Sequence, residues 1–176
     1  MNVCLLKDPQ NGASYYEFTA EPDLVITKHH NNFTQEEINK TFHADTYCFD
    51  SKPEKECFLQ YITSNKVKEI YFTGMFTANQ GELSVHYFDP ESKCVRQYYP
   101  DFLALMEDGS YQLIEVKGDN MIDDAVVLAK KEAAEEISVA SGMTYIMYKG
   151  SDIMSKKILE DVPDDYIEKT KPNLLI

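Results

Sequence analysis

Asp101, Glu115 and Lys117 are three ionisable residues whose spacing lets them meet. Between the two acids lies Glu107-Asp108-Gly109, a turn signal, flanked by the apolar-rich segments 102–106 and 111–117. In a three-residue loop Gly109 supplies the left-handed conformation, and Met106 then pairs with Ser110. Counting outward, Leu105 falls opposite Tyr111, Leu103 opposite Leu113, and Asp101 opposite Glu115. Directly opposed residues share a face with Cβ atoms about 5 Å apart, and Lys117, two residues beyond Glu115, points the same way. A two-residue loop would slip the register by one and part the carboxylates. Opposed carboxylates repel unless a cation lies between them. Their oxygens suit Mg2+, which takes few carboxylates plus waters and phosphate oxygens, with Mn2+ as a substitute. The chemistry is metal-assisted hydrolysis at phosphorus, in which the lysine orients water or offsets developing charge. The plain alternative is a surface cross-strand ion pair, worth about 0–1 kcal/mol, and geometry alone leaves both open.

Several elements must hold this hairpin. Ser51-Lys52-Pro53-Glu54 opens a helix that should run to about residue 63, with a capping box and proline in the first turn. Glu54, Phe58 and Ile62 form one stripe, so Glu54 lies in line with core-facing residues, although capping alone would explain it. A long helix is expected over 122–140, with acid at Asp123-Asp124 favouring its start and Ser141-Gly142 ending it. Its apolar stripe is Ile122, Val126, Ala129, Ala133, Ile137 and Ala140. Lys130 sits at the margin of that stripe and is the candidate phosphate contact; Lys131 points to the far side. Strands are expected over 67–73, 83–88 and 143–148, with one long strand from 95 to 106. Alternation makes one of Tyr98 and Tyr99 a core residue. Residues 1–50 read as an N-terminal α/β extension, with a short strand near 24–26 and a capping box at Thr34-Gln35-Glu36-Glu37. Residues 51–150 form the core, and 151–176 a short helix and a polar C-terminal tail.

Composition narrows the class. The 176 residues carry a net charge of −13, and no basic run exceeds two residues. Phosphate neutralisation drives nucleic-acid affinity, so such a chain alone should grip DNA weakly, whereas an active site that holds cations needs acid. The first eight residues lack a long apolar segment, and no run of 18 apolar residues occurs, so a cytoplasmic protein is expected. Cys4, Cys48, Cys57 and Cys94 are too dispersed for a zinc knuckle or redox pair and read as reduced thiols.

Tyr99-Pro100-Asp101 followed by Glu115-Val116-Lys117 resembles the PD-(D/E)xK nuclease motif. The flanking helices match that superfamily's α-β-β-β-α-β order. Tyr98-Tyr99-Pro100-Asp101-Phe102 with Leu113-Ile114-Glu115-Val116-Lys117-Gly118 looks like the C-terminal endonuclease domain of type III restriction enzyme Res subunits, and Ser51-Lys52-Pro53-Glu54 is similar to the Ser-x-x-Glu of that family's first core helix. The likeness covers about residues 48–150. It implies a restriction-endonuclease-like α/β fold, a central mixed sheet flanked by helices, and a magnesium-dependent DNA endonuclease of a restriction or helicase-nuclease system. Asp101, Glu115 and the Val116 carbonyl would ligate the metal, Lys117 would act on the attacking water, and Glu54 would aid metal binding. Its partners would be DNA and helicase or translocase and modification subunits of the same system; this sequence has no phosphate loop of the Gly-x-x-x-x-Gly-Lys-Ser/Thr type, so it would be either a piece of a longer protein or a domain that stands alone. The alternative is a catalytically inactive nuclease-fold module acting in protein–protein interaction.

Overall fold

Alternating side chains decide which face of the central sheet each residue serves, and two different layers cover the two faces. A computed structural model describes residues 2–7, 10, 12, 14–19, 21–29, 31–41, 44–73 and 83–170. The strands are β1 (Asn2–Lys7), β2 (Ser14–Thr19), β3 (Val25–Thr27), β4 (Thr46–Cys48), β5 (Val67–Phe72), β6 (Val85–Asp89), β7 (Cys94–Tyr98), β8 (Phe102–Met106), β9 (Tyr111–Lys117) and β10 (Thr144–Lys149). The helices are α1 (Gln35–Lys40), α2 (Lys52–Thr63), α3 (Ala125–Ala140) and α4 (Gly150–Ser155). The central sheet runs β10-β9-β8-β5, with β10 parallel to β9 and the other pairs antiparallel. The mixed α/β architecture expected from the sequence is therefore present, with the α-β-β-β-α-β order carried by α2, β5, β8, β9, α3 and β10. The antiparallel hairpin β6–β7 is inserted between β5 and β8.

On β8 and β9, Phe102, Ala104, Met106, Ile114 and Val116 point toward α2. There Phe49, Phe58, Phe72 and Phe102 form an aromatic cluster, with Phe49 stacked on Phe72 at 4.8 Å and Phe72 on Phe102 at 5.2 Å between centroids. Leu103 and Leu113 point the other way, toward α3 and β6–β7, where Val85, Tyr87, Tyr98 and Ala134 close a second core. Strict alternation thus sends Asp101, Glu115 and Lys117 to the α3 face.

The segment before α2 is built into the first core: β3 pairs with β4, and Ile26, Tyr47 and Phe49 are fully or nearly fully buried beside Phe58. The Thr34 capping box is present, with Glu37 accepting from the Thr34 backbone at 2.8 Å. After α4 the chain folds back over α2. The buried Gln60 amide donates to the Ile153 carbonyl (3.2 Å) and accepts from the Ile158 N–H (2.7 Å), and Val162 and Tyr166 complete the same core. Residues 171–176, including Pro172 of the expected tail, lie outside the described residues.

Two expectations need correction. The single strand over 95–106 is two strands in different sheets: β7 ends at Tyr98, and Tyr99-Pro100-Asp101 turns the chain into β8. Pro100 lacks the N–H that a continuous ladder requires. The long helix starts at Ala125 rather than 122, because Asp124 caps it by accepting from the Val126 and Val127 N–H groups. Its packed face is also rotated. Val127, Ala134 and Ser138 are buried, Val126, Ala129 and Ala133 pack beside them, and Ile137 and Ala140 are exposed. Among the described residues no helix is long and apolar enough to cross a membrane. Cys48, Cys57 and Cys94 are free thiols.

Candidate active site

The hairpin register is the one that a three-residue loop dictates. Leu103 faces Leu113 and Leu105 faces Tyr111. The Met106 N–H donates to the Ser110 carbonyl at 2.8 Å, and Gly109 takes the left-handed conformation at φ 85°. Asp101 sits one residue before β8 and is fixed from both sides. Its carbonyl accepts from the Thr73 N–H at 2.9 Å, and its carboxylate accepts from the Val116 N–H at 2.7 Å. The adjacent Pro100 carbonyl accepts from the Thr73 hydroxyl. The turn that ends one strand thus anchors the acid that begins the next.

Glu115 lies between Ile114 and Val116 on β9 and is only 3% exposed. One of its oxygens pairs with the Lys117 ammonium. The other, Oε2, is buried without a well-formed hydrogen bond, although the Asp101 backbone N–H acts favourably on the carboxylate. Burial raises the Glu115 pKa, and Lys117 and Lys130 oppose that rise. Burial, then the charges of Glu115 and Glu54, push Asp101 well above the usual carboxylate range. Burial would lower the Lys117 pKa, but Glu115, Asp101 and Glu54 outweigh it and hold the ammonium above its ordinary value. The three groups are therefore one electrostatic unit.

Glu54 reaches this unit from the start of α2. Gly150 makes that approach possible, since a Cβ there would lie 3.2 Å from Pro53 Cγ and 3.6 Å from the Lys117 carbonyl. The Glu54 carboxylate accepts from the Asp50 N–H (3.1 Å) and the Ser51 hydroxyl (2.8 Å), so the capping role is real. Burial raises its pKa against these bonds, and its charge acts on both Asp101 and Lys117. Capping and electrostatic coupling coexist in one side chain.

Lys130 occupies the middle of the packed face of α3, not its margin. Its ammonium lies 5.5 Å from the ring centroids of both Tyr87 and Tyr98. Lys131 pairs instead with Glu135 one turn on, at 3.7 Å. Tyr98 proves to be the core member of the Tyr98-Tyr99 pair, at 7% exposure. The sequence reading missed Tyr145, whose buried hydroxyl, like that of Tyr98, has no well-formed hydrogen bond. Glu115 and Asp101 both raise the pKa of each tyrosine, after burial. The signal for Tyr145 was parity: the parallel register sets it beside Leu113 on β9, on the α3 face.

Among the described residues no three His, Cys, Asp or Glu side chains gather into a ready metal cage. A cation here would rest on two carboxylates and a main-chain carbonyl, completed by water and substrate oxygens, which is the arrangement magnesium favours. The poorly satisfied Glu115 Oε2 and the mutual repulsion of Asp101 and Glu115 fit such an ion.

The mixed sheet, its flanking helices and the carboxylate-bearing hairpin are those of a restriction-endonuclease-like fold of the PD-(D/E)xK superfamily. Residues 59–150 match the family described as TnsA-like endonuclease N terminal, and the chain belongs to that family. The match takes in Asp101, Glu115, Lys117 and Lys130 and begins after Glu54. A search of curated proteins found no match.

Proposed function

We propose that this chain is a magnesium-dependent endonuclease that hydrolyses DNA phosphodiester bonds, with Asp101, Glu115 and Lys117 at its centre. The observation that carries this reading is Glu115: a carboxylate 3% exposed, one oxygen on Lys117 and the other without a well-formed hydrogen bond, beside a second raised carboxyl. A buried oxygen left without a good hydrogen bond costs about 1–3 kcal/mol, which a site that takes up a cation recovers on binding it. Asp101, Glu115 and the Val116 carbonyl would hold the ion, which supplies Lewis acidity toward the phosphoryl group and makes water more acidic. Lys117 orients the attacking water and donates to the phosphoryl oxygens as their charge grows. The Val116 N–H keeps Asp101 in place during that step. Glu54 adds negative charge from the start of α2, which favours the cation and keeps Lys117 protonated.

The net charge of −13 supports a module whose grip on DNA is supplemented by a partner. We place it in a restriction or helicase-nuclease system, beside the motor and modification functions of that system. That finer assignment rests on the likeness of segments 98–102 and 113–118 to type III Res subunits. The test is cleavage of supercoiled plasmid with and without magnesium, beside calorimetric titration of the metal. Nicking or linearisation that needs the metal and is lost in Lys117→Ala is expected. Equal metal binding by wild type and Asp101→Ala would sink the assignment.

A further inference from the structure

At about 100° per residue, Lys130 lies midway between Val126 and Val127 on one side of its turn and Ala133 and Ala134 on the other. These four flank it on the face of α3 that packs on the sheet. A lysine at the centre of an inward face needs a reason, since burying a charge without a partner is unfavourable. Among the described residues Lys130 makes no ion pair; its neighbours are the faces of Tyr87 and Tyr98, themselves edge-to-face at 6.1 Å and 84°. Cation–π contact of this kind holds an ammonium in place yet leaves its N–H donors free. The same side of the sheet holds Glu115 Oε2, buried without a well-formed hydrogen bond, and the buried hydroxyls of Tyr98 and Tyr145, which interact with each other. Lys130 and these polar groups lie on the same face of the sheet as the carboxylate pair, and the Lys130 charge acts on Glu115.

We propose that Lys130, held by the rings of Tyr87 and Tyr98, is a second phosphate-binding cation of this site and contacts the backbone of the bound DNA. The inference rests on the nuclease reading above and extends it. Lys117 acts at the reacting group; Lys130 binds and orients the substrate. Tyr87 belongs to β6, so the inserted hairpin becomes part of the substrate site rather than an ornament on the fold. A simple countercharge to Glu115 is the competing role, and it makes a different forecast for DNA binding.

The experiment measures binding of a fluorescent 20-base-pair duplex across a salt series, with calcium replacing magnesium, and steady-state cleavage with magnesium. Lys130→Met should reduce the slope of log affinity against log salt by about 0.9, the value for one lost phosphate contact on duplex DNA. Its KM should rise on the order of tenfold with kcat changed much less, whereas Lys117→Met lowers kcat. Lys130→Arg should restore the slope, because guanidinium keeps both the charge and the stacking on tyrosine. Tyr87→Leu, which keeps apolar bulk and removes the ring, should raise KM by a smaller factor. A folded Lys130→Met with unchanged salt slope and KM overturns the proposal, even if the wild type cuts DNA. So does a wild type that binds no duplex at low salt. If the slope falls in Lys130→Met but no variant or wild type cleaves, the phosphate contact stands and the nuclease reading fails.

Discussion

The two faces of the central sheet are built to different rules. Toward α2, the packing is aromatic and dry: Phe49, Phe58, Phe72 and Phe102 touch one another, and the polar groups there largely have partners. Toward α3, a smaller core surrounds buried polar atoms without well-formed hydrogen bonds, on Glu115, Tyr98, Tyr145 and Ser138. Adjacent residues of one strand serve both rules, since Ile114 and Val116 belong to the first face while Glu115 belongs to the second. The lesson is a division of labour. One side is packed for stability, and the other gives up some of it by burying polar groups without well-formed hydrogen bonds.

The sharpest way to break that comparison is on the dry face. Phe102→Ala should destabilise the chain by about 3–5 kcal/mol, as large-to-small core changes do. Urea denaturation at neutral pH measures it. A loss no greater than that of an exposed residue would mean that this face does not carry the fold.

Next in size is Lys117→Met, which keeps the alkyl stem. Cleavage should fall on the order of a hundredfold or more, corresponding to about 3 kcal/mol for a lost transition-state donor. The sequence suggested an ion pair worth little to stability. Glu115 is too buried for that, so the metal-free variant should also lose about 1–3 kcal/mol, the usual result of stranding a buried acceptor. Single-turnover rates beside melting curves separate the two effects. Full activity in a destabilised variant would make Lys117 a structural partner.

Asp101→Asn tests directly what the functional face gives up. A raised carboxyl pKa means that the native state binds its proton more tightly than the unfolded chain does. That contribution is complete below the ordinary carboxylate range and is lost as pH rises through the raised value. At pH 7, without divalent cations, the asparagine variant should therefore be the more stable. The gap should close below about pH 4. Excess magnesium should reverse the order by stabilising only the wild type. A wild type that stays ahead at pH 7 without metal would contradict the picture of a strained carboxylate pair.

The smallest effect belongs to Lys131→Met. Its pair with Glu135 is surface-exposed, so stability should change by less than about 0.5 kcal/mol, with no effect on DNA binding or cleavage. Any marked loss of DNA affinity would shift the phosphate contact to the neighbour of Lys130.

The hairpin was legible from residue types because its information is local: a turn with Gly109, two alternating strands and a fixed loop length determine that Asp101 faces Glu115. The Ser51 and Thr34 caps were legible for the same reason. The break between β7 and β8 was not. Pro100 signals an interruption, but the apolar segments on both sides imitate one continuous strand. The true face of α3 was hidden by its composition. Val126 and Val127, or Ala133 and Ala134, offer neighbouring apolar choices, and only packing against β6 and β10 decides between them. That ambiguity is also why Lys130 looked marginal.

The fold-back across α2 bears on how portable this module is. Gln60 is fully buried, and its amide is satisfied by main-chain groups of Ile153 and Ile158. A fragment trimmed to the shared family region, 59–150, would start midway along α2, shed the Ser51–Glu54 cap and uncover the surface now sealed by Ile153, Val162 and Tyr166. The region matched by the family is narrower than the core into which this chain packs. Grafting this domain onto another protein therefore means carrying the flanking segments with it, from β3 to the turn at Tyr166.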